Sequence, residues 1–163
     1  MAKEIEKRFL LSQLPAEDIL RQCEKATYVT VYIYTGNPEV RIRKKINIKG
    51  IFYTMAVKFG EGISRDEFLT SVNQELFEKM FSSHGDAIVV KSRYKCKSKV
   101  KNLVWEIDKF LDRHEGLYIA EIELESSDQI VEVPDWLPVL KEVTNDSRYS
   151  NKNLAVYGIP EPV

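Results

Sequence analysis

Five segments of this chain place two like charges two positions apart within strand-forming sequence: Glu4/Glu6, Arg41/Arg43, Lys91/Arg93, Glu106/Asp108 and Glu121/Glu123. In a β-strand alternate side chains share a face, so each pair points one way while Ile, Val, Leu, Phe and Trp105 neighbours point the other. One such pair, Glu4/Glu6 for instance, ordinarily marks nothing more than a solvated face. The set is different, because the pairs are segregated by sign. An open, solvated sheet would intersperse signs, since opposite charges across strands are mildly stabilising and like charges are not. The apolar faces need cover, so the charged faces are expected to line the lumen of a closed or nearly closed antiparallel barrel. A dry lumen would cost several kcal/mol for each buried unpaired ion. A phosphate-chain ligand with a divalent cation resolves this: arginine forks grip phosphate oxygens, lysines act as point charges, and carboxylates hold the metal.

Bulk properties agree with an ordinary folded protein. With 163 residues, 44% of them apolar and 30% charged, the chain is the size of one domain, 1–163, and needs no staples. Its 24 basic and 25 acidic residues nearly cancel, which speaks against a nucleic-acid or membrane-surface binder. No apolar run reaches the roughly 18 residues of a membrane-spanning helix, and no signal peptide opens the chain, so a cytoplasmic protein is expected. Cys23 and Cys96 are too few and too far apart for a thiolate metal motif, and His84 and His114 lack partners at ligand spacing. Any metal would therefore be held by oxygen, which favours Mg²⁺ or Mn²⁺. Monomer and homodimer are both left open.

The pattern predicts a helix over 15–25, a hairpin of strands 26–35 and 40–48 around Gly36-Asn37-Pro38, a strand over 51–59, and a second amphipathic helix over 68–81. Strands are expected over 87–97, 100–112 and 117–125. The tail, with Pro134, Trp136 and Pro138, reads as short helical turns and loops packed across an opening and not as another strand. Tyr53, Trp136 and Tyr149 read as packing residues.

Glu4-Ile5-Glu6-Lys7-Arg8 resembles the N-terminal E-x-E-x-K signature of the CYTH superfamily, the triphosphate tunnel metalloenzymes. The likeness runs along nearly the whole chain, through Arg41-Ile42-Arg43, Ala56-Val57-Lys58, Lys91-Ser92-Arg93-Tyr94, Trp105-Glu106-Ile107-Asp108 and Ala120-Glu121-Ile122-Glu123-Leu124. Its tail is similar to that of the short bacterial members. The resemblance implies an α+β, mainly antiparallel fold: an eight-stranded closed tunnel barrel with flanking helices, hydrolysing inorganic triphosphate or a related triphosphate with Mg²⁺ or Mn²⁺. It implies Glu4, Glu6, Asp108, Glu121 and Glu123 as metal ligands and Arg41, Arg43, Lys58, Lys91 and Arg93 as the phosphate clamp. Arg8 and Tyr28 match the positions near the site of attack, with Arg65 and Glu67 an internal pair bracing the clamp. Two departures stand out: Arg8 replaces the family lysine, and Leu69 a frequent glutamate. The same resemblance carries an adenylate cyclase acting on a nucleotide and a non-catalytic triphosphate binder as alternatives.

Overall fold

The computed structural model describes residues 2–61, 64–100 and 102–161, with side chains described from Ile5 onward. Alternating polar and apolar residues build the strands β1 (Ala2–Leu11), β2 (Glu24–Tyr34), β3 (Glu39–Asn47), β4 (Gly50–Phe59), β5 (Ser64–Ser71), β6 (Ile88–Lys97), β7 (Val104–Phe110) and β8 (Tyr118–Glu123). Their order, β5-β4-β3-β2-β6-β7-β8-β1, closes through a β1–β5 pairing into an eight-stranded antiparallel barrel. The hairpin joining β2 to β3 forms as expected and contains a cis Asn37–Pro38 bond.

Three differences from the sequence-based expectation concern helices and the tail. The helix expected over 15–25 is a single turn, α1 (Glu17–Leu20), because Glu24 and Lys25 are drawn into the ladder opposite Lys95 and Tyr94. The helix expected over 68–81 begins only at α2 (Gln74–Ser83), where the Asn73 side chain accepts from the Leu76 amide and caps it. The preceding stretch is β5, taken up by the pairings that close the barrel. In the tail, Val139–Glu142 forms a further strand, β9, on the C-terminal half of β1, where β5 has left that edge unpaired. The remainder ends in α3 (Asn151–Tyr157), capped by Ser150.

Packing follows from the alternation. Outside the barrel, Phe9, Trp105, Ile107, Ala120 and Ile122 form one core under Leu137 and Trp136, with Phe9 and Trp105 edge-on at 5.6 Å. On the opposite wall, Phe77 of α2 covers Val31 and Ile42 and meets the Tyr53 ring at 5.3 Å. At one end of the lumen the inward positions turn apolar: Tyr32, Val89, Phe110 and Ile119 pack against Tyr149, Leu154 and Ala155, so α3 plugs part of that end. Cys23 and Cys96, one step beyond the Glu24–Lys95 pair, form a disulfide. No helix among the described residues is long and apolar enough to cross a membrane.

Candidate active site

Inward-facing residues of all eight barrel strands enclose a cavity of about 340 Å³. Arg41, Arg43, Lys45 and Lys58 from β3 and β4 make one wall; Glu6, Glu106, Glu121 and Glu123 from β1, β7 and β8 make the other. The register explains the segregation. Arg43 lies opposite Thr54 and Thr30, whereas Glu6 lies opposite Glu123 and Glu106 opposite Glu121, so the acids stack along adjacent strands. Arg93 of β6 joins the walls.

These charges are tied together by ion pairs. Arg93 grips Asp108 with two parallel bonds, Nε at 2.7 Å and Nη2 at 2.8 Å, and donates further to Glu106 at 2.9 Å and Glu121 at 3.0 Å. Lys91 donates from Nζ to Asp108 at 2.8 Å and to Asn151 of the plug at 3.1 Å. Arg8 reaches Glu121 through Nε at 3.2 Å and Nη2 at 3.1 Å, and Glu6 at 3.1 Å. On the basic side Glu67 approaches Arg41 at 3.7 Å and Lys58 at 3.6 Å, while Arg65 donates to Glu39 at 3.3 Å. Arg43 bonds Thr30 at 2.8 Å and lies over the Tyr28 ring, which Arg93 approaches on its own account, with guanidinium-to-ring distances of 4.9 and 5.5 Å. Tyr28 thus places a polarisable face between two like charges.

Burial and mutual repulsion set the protonation energies. Burial pushes the Lys91 ammonium down to about 8, with Arg93 adding to the effect and Asp108 and Glu121 opposing it. Arg43 is lowered to about 10 by burial and by Arg41 and Arg93. Burial works against ionisation of Glu121, but Arg8, Lys91 and Arg93 outweigh it and hold the carboxyl well below the usual range. Burial likewise opposes the charge on Arg93, yet Asp108 and Glu106 prevail and raise it. Arg93 and Glu121 therefore hold opposite charges against each other at neutral pH.

Eight of the residues that the resemblance implies as metal ligands, phosphate clamp or attack-site groups line this one cavity: Glu6, Tyr28, Arg41, Arg43, Lys58, Arg93, Glu121 and Glu123. Arg8 lines an adjoining chamber that shares Glu6. Lys91 and Asp108 stand behind the wall, 1% and 0% exposed, with each other and Arg93 as partners. The Glu4 side chain lies outside the described residues. Arg65 and Glu67 brace through β3 and β4, not through one another. Sequence reasoning missed four participants: Lys45 on the basic wall; Glu39, 4% exposed and bonded to Arg65; Glu106, assigned only to a charge pair; and Asn151, the plug's contact with Lys91. Glu39 was legible as the inward neighbour of Arg41 two positions on; Asn151 had no such signal.

No family model matches the chain. Two relatives do. An inorganic triphosphatase of Acetivibrio thermocellus is 36% identical over 160 residues, covering 94% of each chain. One of Nitrosomonas europaea is 32% identical over 155 residues, covering 94% of this chain and 97% of its own. The crystal structure of the inorganic triphosphatase NE1496 superposes with a TM-score of 0.68 at 28% identity, over 99% of both chains. The fold recurs at 18% identity and a TM-score of 0.54 in a protein of Pyrococcus horikoshii. With the tunnel, its opposed walls and these relatives in hand, the chain belongs to the triphosphate tunnel (CYTH) family that includes the bacterial inorganic triphosphatases.

Proposed function

We propose that this protein hydrolyses inorganic triphosphate to orthophosphate and pyrophosphate, using 1–163 as a single tunnel domain. The observation that carries the reading is the opposition of a basic wall and an acidic wall across one enclosed cavity. It is supported by the relatives' activity. Arg41, Arg43, Lys58 and Arg93 would grip phosphate oxygens, and Lys91 would act through Arg93 and Asp108. Phosphoryl transfer asks mainly for charge neutralisation and in-line positioning, which such a clamp supplies. Water would add to the terminal phosphorus as the bridging P–O bond breaks, and pyrophosphate would leave. Arg8, set between Glu6 and Glu121 where the cavity meets the adjoining chamber, would hold the terminal phosphate.

The acidic wall presents only oxygen donors, the chemistry of a Mg²⁺ or Mn²⁺ site. Among the described residues no three carboxylates already converge as ligands, and three of the acids, Glu6, Glu106 and Glu121, are turned toward Arg8 and Arg93. Glu6, Glu121 and Glu123, with Glu4, would hold the ion, which would neutralise phosphate charge when bound. Asp108, enclosed by Lys91 and Arg93, is better placed to anchor those cations.

Incubation with Mg²⁺ or Mn²⁺ and, separately, tripolyphosphate, ATP and thiamine triphosphate tests the reading through phosphate, pyrophosphate and cyclic AMP. Phosphate from tripolyphosphate supports it; cyclic AMP from ATP, or binding without turnover, refutes it. Arg8→Lys should lower kcat/KM about tenfold, since an ammonium cannot fork between two carboxylates and a phosphate. A many-fold rise would show instead that Arg8 limits catalysis.

A further inference from the structure

The tunnel does not end where the catalytic cavity does. On β3 and β5 the inward positions one step beyond Arg41 and Glu67 are Glu39 and Arg65, and they line a second chamber of about 350 Å³. Glu6 borders both chambers, and Arg8 faces the second. Where the α3 plug on Tyr32, Val89, Phe110 and Ile119 does not reach, this end is bordered by residues of the tail segment 144–153 and by Gly60 and Glu61. The lining is polar. Arg65 is engaged by Glu39, and Glu6 pairs with Arg8, whereas half-buried Lys152 has no ion-pair or hydrogen-bond partner among the described residues. Nor do the Asn145 and Ser147 side chains, which with Glu61 form the exposed rim of the chamber.

We propose that this chamber is a holding and exit site for orthophosphate, built by Lys152, Arg65, Asn145 and Ser147, and resting on the triphosphatase reading above. A linear triphosphate gripped in the catalytic cavity has its terminal phosphate deepest, beside Arg8. After cleavage, pyrophosphate blocks the way back past the clamp. The chamber behind Arg8 offers the small product a cation and neutral donors, the chemistry that accepts a phosphate oxyanion.

The test uses inorganic phosphate on the full chain, both as an inhibitor of tripolyphosphate hydrolysis and as the titrant in calorimetry. In the wild type, phosphate should inhibit noncompetitively. Lys152→Glu should weaken that inhibition and the calorimetric affinity by about tenfold or more, as loss of a charged hydrogen bond does, with the KM for tripolyphosphate unchanged. Ser147→Trp, which fills the chamber without touching a charge, should do the same. Purely competitive inhibition that neither variant alters would place phosphate in the clamp alone and overturn the proposal. Wild-type protein that releases no phosphate would refute the triphosphatase reading, while calorimetry on the variants would still decide the site.

Discussion

Asp108 shows how much a single residue's role depends on its surroundings. Its sequence context, two positions from Glu106 on an acidic strand, makes it an expected metal ligand. Its environment makes it the counter-ion of two buried cations, with both carboxylate oxygens occupied by Lys91 and Arg93. Asp108→Asn keeps the shape and removes the charge. It should cost about 3 kcal/mol of stability in urea unfolding of the metal-free protein, because it strands buried cations. The matching substitution at Glu123, which is exposed, should cost far less in the metal-free protein, since exposed charges contribute little. Unchanged stability with a lost metal response would return Asp108 to the ligand set. Glu6, Glu121 and Glu123 line the lumen, where the two-residue period alone places them.

At the level of elements, strands were more legible than helices. Alternation identified β1, β3, β4, β6 and β8 to within a few residues, because half-buried antiparallel strands write their two faces directly into the sequence. β5 was hidden: Phe68 and Leu69 fit a helical spacing with Val72 and Leu76, and only the need to close the barrel selects the extended form. α3 was expected only as part of a tail across an opening, and the means of holding it was unreadable. The turn after β7 clamps it. His114, fully buried, bonds the Leu154 carbonyl through Nε2, and Arg113 donates to the Ala155 carbonyl at 3.1 Å. Burial lowers the His114 pKa; the Leu154 carbonyl opposes this and Arg113 adds to it. A base whose folded pKa is depressed contributes stability that is present above its unfolded value of about 6.5 and is lost as pH falls toward the folded value. The urea midpoint should therefore drop between about pH 7.5 and pH 5.5, above the range where the carboxylates titrate. In His114→Gln, which keeps a side-chain amide donor but cannot titrate, that drop should vanish. A drop of equal size in the variant would assign the slope to other groups.

For the whole molecule, closure is the property that the charge pattern carried furthest, since sign-segregated inward faces have a physical reason only around a lumen. Long-range ties outside the lumen leave no such pattern, and the Cys23–Cys96 disulfide is the clearest of them. Its residues lie 73 positions apart and read in sequence only as an absent metal motif. In the folded barrel they continue the β2–β6 ladder, so the bond fastens the α1 turn to a wall that is already paired. Its effect should lie chiefly in the unfolded chain. Closing a loop of that length removes entropy worth about 4 kcal/mol at 25 °C in the chain-entropy model. Oxidised protein should titrate without free thiols under denaturant, and reduction should lower the unfolding free energy by up to about that amount while leaving the tunnel intact. Cys23→Ser/Cys96→Ser should match the reduced form in stability and retain wild-type triphosphatase activity, because neither sulfur lines the cavity. A double variant that kept its stability yet lost activity would mean that the β2–β6 wall transmits strain to Tyr28, Lys91 and Arg93, making the cross-link part of the site's geometry.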